Sequence, residues 1–209
     1  MAIDASWALR WVGASQEVLA ENREHLIDLD RQIGDGDHGE NMDRGFTAVA
    51  KALADQPPED VPGVLKVVAK TLMSTVGGAA GPLYGTAFLR AAKAAPEGDL
   101  DSQDVVALLA GALEGIQARG KAESGDKTMV DAWAPAVAAA RAAADEGRSP
   151  EEVLDAAARG AAEGAAATEP LQARKGRASY LGERSIGHLD PGAVSSSLIL
   201  TEAARAASA

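Results

Sequence analysis

Apolar residues recur along most of the chain with the 3.6-residue period of amphipathic helices, and period-two runs of β-branched residues are missing. Helix start and stop signals divide this pattern into eight predicted helices, near residues 5–31, 40–55, 60–76, 80–95, 102–119, 127–146, 150–172 and 191–208. Ser149 and Asp190 mark the clearest starts, because each precedes a proline at the first helical position. The pattern predicts an all-α fold of closely packed helices.

The connections between these helices are of two kinds. Those after the second, fourth and sixth helices (QPPEDVPG, APEGDLDS and DEGRSP) are plain turns of proline, glycine and acidic residues. Those after the first, third, fifth and seventh (IGDGDHGEN, VGGAAGP, ARGKAESGDKT and ARKGRASYLGERSIGHLDP) carry most of the glycines and the chemically interesting side chains. In a bundle whose helices run up and down, every second connection lies at the same end. We therefore expect four loops to meet and form a site there.

The composition favours one helical domain spanning residues 1–209. The chain is 46% hydrophobic and has neither a long polar linker nor a tract near eighteen consecutive apolar residues, so no membrane span is expected. Its first residues lack the pattern of a secretory signal, which favours a cytoplasmic protein. The net charge of −11 makes nucleic acid and anionic lipid poor partners. The lack of cysteine excludes disulfides, thiolate metal sites and a cysteine nucleophile.

Charge is distributed unevenly among the four loops. Acidic side chains crowd around the first loop, whereas seven of the 20 basic residues lie within 119–127 and 174–188. If the loops meet, acidic and basic groups face each other, as expected for a metal ion beside phosphate oxygens. The fourth loop has no helical pattern over about eighteen residues, a length that indicates function. There Lys175 and Arg177 are candidates to clamp phosphates, Arg177 through its bidentate fork.

A cluster of carboxylates is predicted in the first loop. Asp35 and Asp37 flank Gly36, and Asp30 lies about one and a half helical turns earlier, so all three can turn toward one point. Without a cation this would raise their pKa values, whereas Mg²⁺ prefers a few carboxylates together with waters and substrate phosphates. Three carboxylates are enough for two ions. A solvated acidic turn with helix-capping aspartates is the alternative, and the basic loops favour the metal.

Three glycine-rich stretches invite comparison with nucleotide-binding motifs. GDGDHG matches G-x-G-x-x-G without a preceding strand, and GIQARGKA has Ala122 where a P-loop needs a hydroxyl, so both motifs are rejected. VGGAAGPLYGT puts small residues before a helix, where backbone amides can approach an anion or a flat ring; a tight turn is the alternative.

His38 and His188 lie in the site loops, and we expect His38 to contact a nucleotide. His25, on a helix, is expected to be structural.

Four long motifs together resemble the L subunits, the nucleotide-binding subunits, of bacterial dihydroxyacetone kinases. The motifs are IGDGDHGENM, GGAAGPLYGTAF, GDKTM and KGRASYLGERSIGHLDPGA, and they follow one another in the expected order over essentially the whole chain. The resemblance is to the phosphotransferase-dependent form, in which this subunit is free-standing. It implies an eight-helix antiparallel up-and-down barrel with a nucleotide and two magnesium ions at one end.

The resemblance also implies the site residues. Metal ligands are expected at Asp30, Asp35 and Asp37, and nucleotide contacts at His38, Gly39, Glu40, Asn41, Ala79, Ala80, Gly120, Met129, Arg177, Asp190, Pro191 and Gly192. Many relatives carry serine in place of Ala80, so a side-chain hydrogen bond to phosphate is expected to be absent here while the backbone amide remains.

The family mechanism implied by this resemblance uses ADP as a tightly held cofactor. A phosphohistidine on a carrier (M) subunit rephosphorylates it to ATP, and the γ-phosphoryl passes to dihydroxyacetone on a K subunit. Arg177 and the two magnesium ions are expected to neutralise charge on the transferred group, with the general base on the partner. Two alternatives stay open: an L-type subunit of an ATP-dependent kinase for another small ketose or polyol, or a binding module that reports nucleotide state to a transcriptional regulator.

Overall fold

The computed structural model describes residues 2–208, and every regular element in this range is helical. The α-helices are α1 (Ala5–Glu21), α2 (Arg23–Ile33), α3 (His38–Asp55), α4 (Val61–Thr75), α5 (Ala80–Ala94), α6 (Ser102–Gly120), α7 (Val130–Asp145), α8 (Pro150–Ala166) and α9 (Pro191–Ser208). A 3-10 helix, Arg177–Ser185, lies between α8 and α9. The predicted all-α class is confirmed.

The first predicted helix, 5–31, is in fact two helices that meet at Asn22. The Asn22 amide and side chain both donate to the Val18 carbonyl, at 3.0 and 2.8 Å, while the Asn22 carbonyl accepts from the Leu26 amide at 2.9 Å. An asparagine side chain that bonds to a helix carbonyl competes with the regular backbone pattern. The prediction of one helix was wrong because the apolar period continues across this junction.

The end of the seventh predicted helix was also wrong, since α8 stops at Ala166 rather than near residue 172. The Thr168 hydroxyl donates to the Ala165 carbonyl at 2.7 Å, and the chain then leaves the helix axis. The following connection, predicted without helical structure, contains the 3-10 helix. The other predicted boundaries agree within three residues, and both predicted caps form: Ser149 accepts from the Glu152 amide at 3.3 Å and Asp190 from the Ala193 amide at 2.7 Å.

Helices that are consecutive in the chain pack side by side, and α1 packs against α9 to close the ring. Two tryptophans of α1 make this closure, because Trp7 and Trp11 stack at 5.1 Å and donate their indole N–H groups to carbonyls of α9, at 2.9 and 2.8 Å. Phe88 of α5 lies against Trp11 at 5.8 Å, so the aromatic core spans the ring. None of the helices within residues 2–208 combines the length and the apolarity that a membrane span requires.

Helices α7 and α8 approach each other closely next to the site. Pro135 inside α7 has no amide hydrogen for the Asp131 carbonyl, and Gly164 of α8 lies against that carbonyl. A Cβ atom at Gly164 would lie only 2.1 Å from the Asp131 oxygen. Glycine is therefore required at this crossing, which places the first turn of α7 relative to α8.

Candidate functional site

The four glycine-rich connections meet at one end of the bundle, as the sequence predicts. A cavity there is lined from all four, by residues within 30–38, 77–80, 127–129 and 175–192. A second cavity adjoins it and shares part of the wall, including Ala79, Leu83, Met129 and Gly176. The first cavity carries the carboxylates and Arg177, whereas Ile116, Ala122 and Val130 give the second an apolar interior, with Arg119 and Lys175 also in its lining. The two together form an elongated site with a polar half and an apolar half.

Three carboxylates gather in the polar half. Asp30, Asp35 and Asp37 each offer an oxygen within 4.8 Å of the others, the only such group of three metal-ligating side chains in residues 2–208. Asp30 is buried and fixed in place, because its Oδ2 accepts from the amides of Asp37 at 2.9 Å and His38 at 3.2 Å. These bonds fold the first loop back onto α2 and bring the two exposed carboxylates beside the buried one. An all-oxygen donor set of this kind suits Mg²⁺.

Arg177 reaches this carboxylate cluster from the opposite loop. Its Nη2 lies 3.0 Å from Oδ2 of Asp35, and 68% of the arginine side chain is exposed. The basic and acidic loops therefore meet in the same cavity, as predicted, and a guanidinium stands next to the oxygens that would hold a cation. This is the arrangement that a phosphate bound to a metal ion requires.

Four helices begin at the site: α3 at His38, α5 at Ala80, α7 at Val130 and α9 at Pro191. The first amides of a helix have no partner within it, and the helix dipole adds partial positive charge at that end. Residues 79 and 80 at the start of α5 have no side-chain cap. The start of α5 therefore offers backbone amides to an anion. The amides of His38 and Ala193, at the starts of α3 and α9, are already bonded to Asp30 and Asp190.

His38 lies at the end of a buried chain of hydrogen bonds. Its Nε2 is 2.8 Å from the Ser195 hydroxyl, which in turn is 2.8 Å from the hydroxyl of Tyr84. Tyr84 also bonds Ser196 at 2.8 Å, and Ser196 accepts from the Trp133 indole at 3.0 Å. Burial lowers the pKa of the His38 imidazole despite the opposing charges of Asp30 and Asp37, which favours its neutral form.

Asp190 closes the site from the α9 side. Its carboxylate caps α9 at the Ala193 amide, and its own amide donates to the Thr168 hydroxyl at 3.0 Å. Burial raises the pKa of Asp190 to about 7; the Asp131 charge adds to this, while the Ala193 amide and Lys127 oppose it. A carboxyl group that titrates near neutrality thus lies in the wall of the cavity.

The structure brings most of the predicted site residues into this wall. Those that line one or both cavities are Asp30, Asp35, Asp37, His38, Asn41, Ala79, Ala80, Gly120, Met129, Arg177, Asp190, Pro191 and Gly192. Gly39 is buried behind it, where a Cβ would lie 2.1 Å from the Arg23 carbonyl, and Glu40 is exposed outside both cavities. His188 also lies outside them and bonds Gln32 at 2.8 Å.

Several lining residues were not singled out from the sequence. Leu83, Tyr84, Ile116 and Thr128 reach the cavities from the interior of helices or from the middle of a loop. Thr128, Leu83 and Tyr84 could have been found, since they belong to the GDKTM and GGAAGPLYGTAF motifs. Ile116 looks like an ordinary helix residue, because only the packing of α6 at this end turns it toward the site.

Comparison with known proteins identifies the class to which this fold and site belong. Residues 32–205 match the DAK2 domain, and the chain belongs to this family. It is 47% identical, over 95% of both chains, to the "PEP-dependent dihydroxyacetone kinase 1, ADP-binding subunit DhaL" of Listeria innocua. It is 44% identical, over 93% of both chains, to the ADP-binding subunit DhaL of the PEP-dependent enzyme of Escherichia coli. The predicted membership of the L-subunit family is confirmed.

Solved structures agree with these relatives. The dihydroxyacetone kinase of C. freundii in complex with AMP-PNP and Mg²⁺ superposes with a TM-score of 0.71 at 25% identity, over 98% of this chain and 34% of the kinase. Its native form gives a TM-score of 0.74 at 26% identity. The present chain therefore spans about a third of that kinase.

Proposed function

We propose that the chain is the nucleotide-binding L subunit of a phosphotransferase-dependent dihydroxyacetone kinase. The observation that carries the proposal is the meeting of the carboxylate cluster with the uncapped N-terminus of α5 in one cavity. Carboxylates recruit magnesium and helix N-termini recruit phosphate, so the cavity suits a magnesium nucleotide better than either component alone. The DhaL relatives carry the ADP-binding function in their names.

The polar half of the site holds the phosphates. Asp30, Asp35 and Asp37 would hold two magnesium ions, which would supply positive charge to neutralise the phosphate oxygens. Arg177 lies at the edge of this cluster, where its guanidinium would pair with oxygens of the transferred group. Residues 79 and 80 contribute backbone amides, and alanine at position 80 adds no hydroxyl.

The apolar half holds the nucleotide base. Ile116, Ala122 and Met129 are buried side chains that line it, and Gly120 leaves the rim open. The neutral His38 and the buried Asn41 border the polar half. This division suits ADP and ATP, whose charged and flat apolar parts lie at opposite ends.

The reaction consists of two phosphoryl transfers. The P–N bond of a phosphohistidine on the M subunit breaks as a P–O bond to the β-phosphate of ADP forms. The γ-phosphoryl of the resulting ATP then moves to a hydroxyl of dihydroxyacetone on the K subunit, where a base accepts the proton. This chain binds, orients and neutralises charge, and it works in the cytoplasm, where ATP and the carrier subunits are found. The transcriptional regulator stays a prediction.

A related substrate is the second candidate. The relatives include an "L-erythrulose 1-kinase" of Mycolicibacterium smegmatis, 36% identical over 88% of this chain and 33% of that protein. Because the K subunit holds the substrate, a chain with the same site serves either sugar. The partner used in the assay therefore has to be offered both substrates.

The decisive experiment is mass analysis of nucleotide in gently purified protein, followed by phosphoryl transfer driven by phosphoenolpyruvate through the M subunit. We expect about one ADP per chain and phosphorylation of dihydroxyacetone when the K subunit is added. Asp35→Ala should lose both the retained ADP and the transfer, because it removes a shared metal ligand. Wild-type protein that neither retains nor binds ADP in the presence of magnesium would refute the proposal.

A further inference from the structure

Lys127 is a buried lysine in the connection between α6 and α7. It is 1% exposed, and its ammonium donates to the backbone carbonyls of Ser185, Leu171 and Glu169, at 2.6, 3.0 and 3.3 Å. An ammonium has three N–H donors, so each one has an acceptor. Although the basic loops predict phosphate-binding cations, the N–H donors of Lys127 are all bonded to carbonyls of the protein itself.

The three carbonyls lie at the two ends of the loop that carries Lys175 and Arg177. Glu169 and Leu171 precede this loop, and Ser185 ends the 3-10 helix within it. Two further bonds join the same ends: the Ala173 amide donates to the Ser185 hydroxyl and the Gly187 amide to the Glu169 carbonyl, both at 2.8 Å. Holding the ends of a loop together restricts the conformations that the loop can adopt.

Lys127 also belongs to the opposite wall of the cavity. Thr128 and Met129 follow it directly and line the site. Their own loop is fixed by Asp131, which accepts hydrogen bonds from the amides of Gly125 and Thr128. The Lys127 side chain therefore connects a rigid wall of the site to the loop that carries the guanidinium, beside one backbone bond from the Arg174 amide to the Asp126 carbonyl at 3.0 Å.

We propose that Lys127 is a positioning residue whose ammonium holds loop 172–184 in place and thereby sets Arg177 opposite the carboxylate cluster. Its charge takes no direct part in phosphate binding. The inference deepens the proposed function and rests on it for its ligand measurements. It predicts that loss of the ammonium weakens recognition of the phosphates more than recognition of the base, because Arg177 and the carboxylates line only the first cavity.

Lys127→Met tests this, because methionine keeps an aliphatic side chain and removes all three donors. Lys121→Met is the matched control, since Lys121 lies in the same connection, also has a positive φ, 54° against 61°, and lines neither cavity. Hydrogen exchange without nucleotide should become faster within 169–187 in the Lys127 variant only. Affinity for ADP with magnesium should fall about ten- to a hundredfold, as for lost supporting contacts at other ligand sites, and adenosine affinity by less than about threefold.

A Lys127→Met protein with wild-type exchange in 169–187, or with equal losses for ADP and adenosine, would overturn the proposal. If that variant does not fold, Lys127→Gln replaces it, because a side-chain amide has only two N–H donors for the three carbonyls and carries no charge. Faster exchange within 169–187 in Lys127→Gln supports the proposal and unchanged exchange overturns it. Wild-type protein that binds no ADP would refute the proposed function instead, while the exchange experiment, which needs no ligand, still decides the role of Lys127.

Discussion

The guanidinium of Arg177 lies in an exposed ion pair with Asp35 at the mouth of the cavity. A lysine at this position supplies the charge but not the planar fork, so Arg177→Lys should weaken ADP binding by only a few-fold. It should slow phosphoryl transfer by about two orders of magnitude, which corresponds to about 2.7 kcal/mol of barrier. Single-turnover transfer from magnesium ATP to the substrate-loaded K subunit measures this.

The matched control is Arg184→Lys, because Arg184 is exposed in the same 3-10 helix and lies outside both cavities. This variant should transfer at the wild-type rate. If Arg177→Lys lowers ADP affinity and melting temperature in step with the rate, Arg177 braces the loop instead. An unaltered rate would remove it from the mechanism.

Asp190 makes the stability of the protein depend on pH. Its folded pKa, about 7, lies above its ordinary value of 3.8 because of burial, so the folded state binds the proton more tightly than the unfolded state. This contribution is fully present below pH 3.8 and is lost as the pH rises through 7. The slope approaches about 1.4 kcal/mol of unfolding free energy per pH unit in between.

Asp190→Asn keeps an oxygen that can cap α9 and removes the titration. Relative to this variant, the wild-type protein should lose stability between about pH 4 and pH 7. Above pH 7 the unfolding free energies of the two proteins should change in parallel. Urea unfolding at several pH values, with magnesium chelated, measures the difference. If the unfolding free energies of the two proteins stay parallel over the whole pH range, the raised pKa of the buried Asp190 carboxyl group would be contradicted.

At the scale of single residues, the sequence predicts contacts between residues that are close in the chain and misses contacts between residues that are far apart in it. Asp30, Asp35 and Asp37 lie within eight positions, so their convergence follows from helix and turn geometry. Lys127 binds carbonyls 42 to 58 residues away, and only the folded chain shows why that cation is unavailable to a ligand.

The crossing of α7 and α8 depends on Gly164. Alanine would favour the helix by about 1 kcal/mol, but its Cβ would lie 2.1 Å from the Asp131 carbonyl and 2.5 Å from Cγ of Pro135. We expect Gly164→Ala to destabilise the protein by about 1–3 kcal/mol, typical of overpacking, because both neighbours are held in place by α7. Urea unfolding measures the change.

Gly13→Ala in α1 is the control, since a Cβ there meets nothing within 4 Å. This variant should gain up to about 1 kcal/mol from helix propensity alone. The two substitutions should therefore have opposite signs. Equal stabilisation by both would show that α7 and α8 separate easily and that the close crossing is not required.

Helix positions follow well from periodicity, and helix ends follow where a side chain caps them. Ser149 and Asp190 give correct starts because their capping oxygens act within three residues. Periodicity does not predict the break at Asn22, because the apolar face of the helix continues through it. It does not predict the end of α8 at Ala166 either, since the carbonyls beyond Ala166 turn away to reach Lys127.

For the whole molecule, one end of the bundle carries the ligand site and the other carries plain turns near residues 56–60, 96–101 and 146–149. A ligand bound only by the folded state stabilises it by RT ln(1 + [L]/Kd), roughly 4 kcal/mol at a thousandfold excess over Kd. Removal of magnesium and nucleotide leaves the carboxylates of the site without their cations. The loss of stability should therefore begin at the site end.

Chelation with EDTA and extensive dialysis should lower the melting temperature by several degrees, as expected for a loss of this size in a chain of this length. Hydrogen exchange should rise first in the four site loops and only later in the turns at the opposite end, because bound ligand directly holds only the loops. Readdition of magnesium with ADP should reverse both changes. Magnesium with adenosine should reverse them only in part, since adenosine lacks the phosphates that would link the carboxylates to the N-terminus of α5. Unchanged melting, or exchange that rises equally at both ends, would contradict a magnesium nucleotide bound at this end of the bundle.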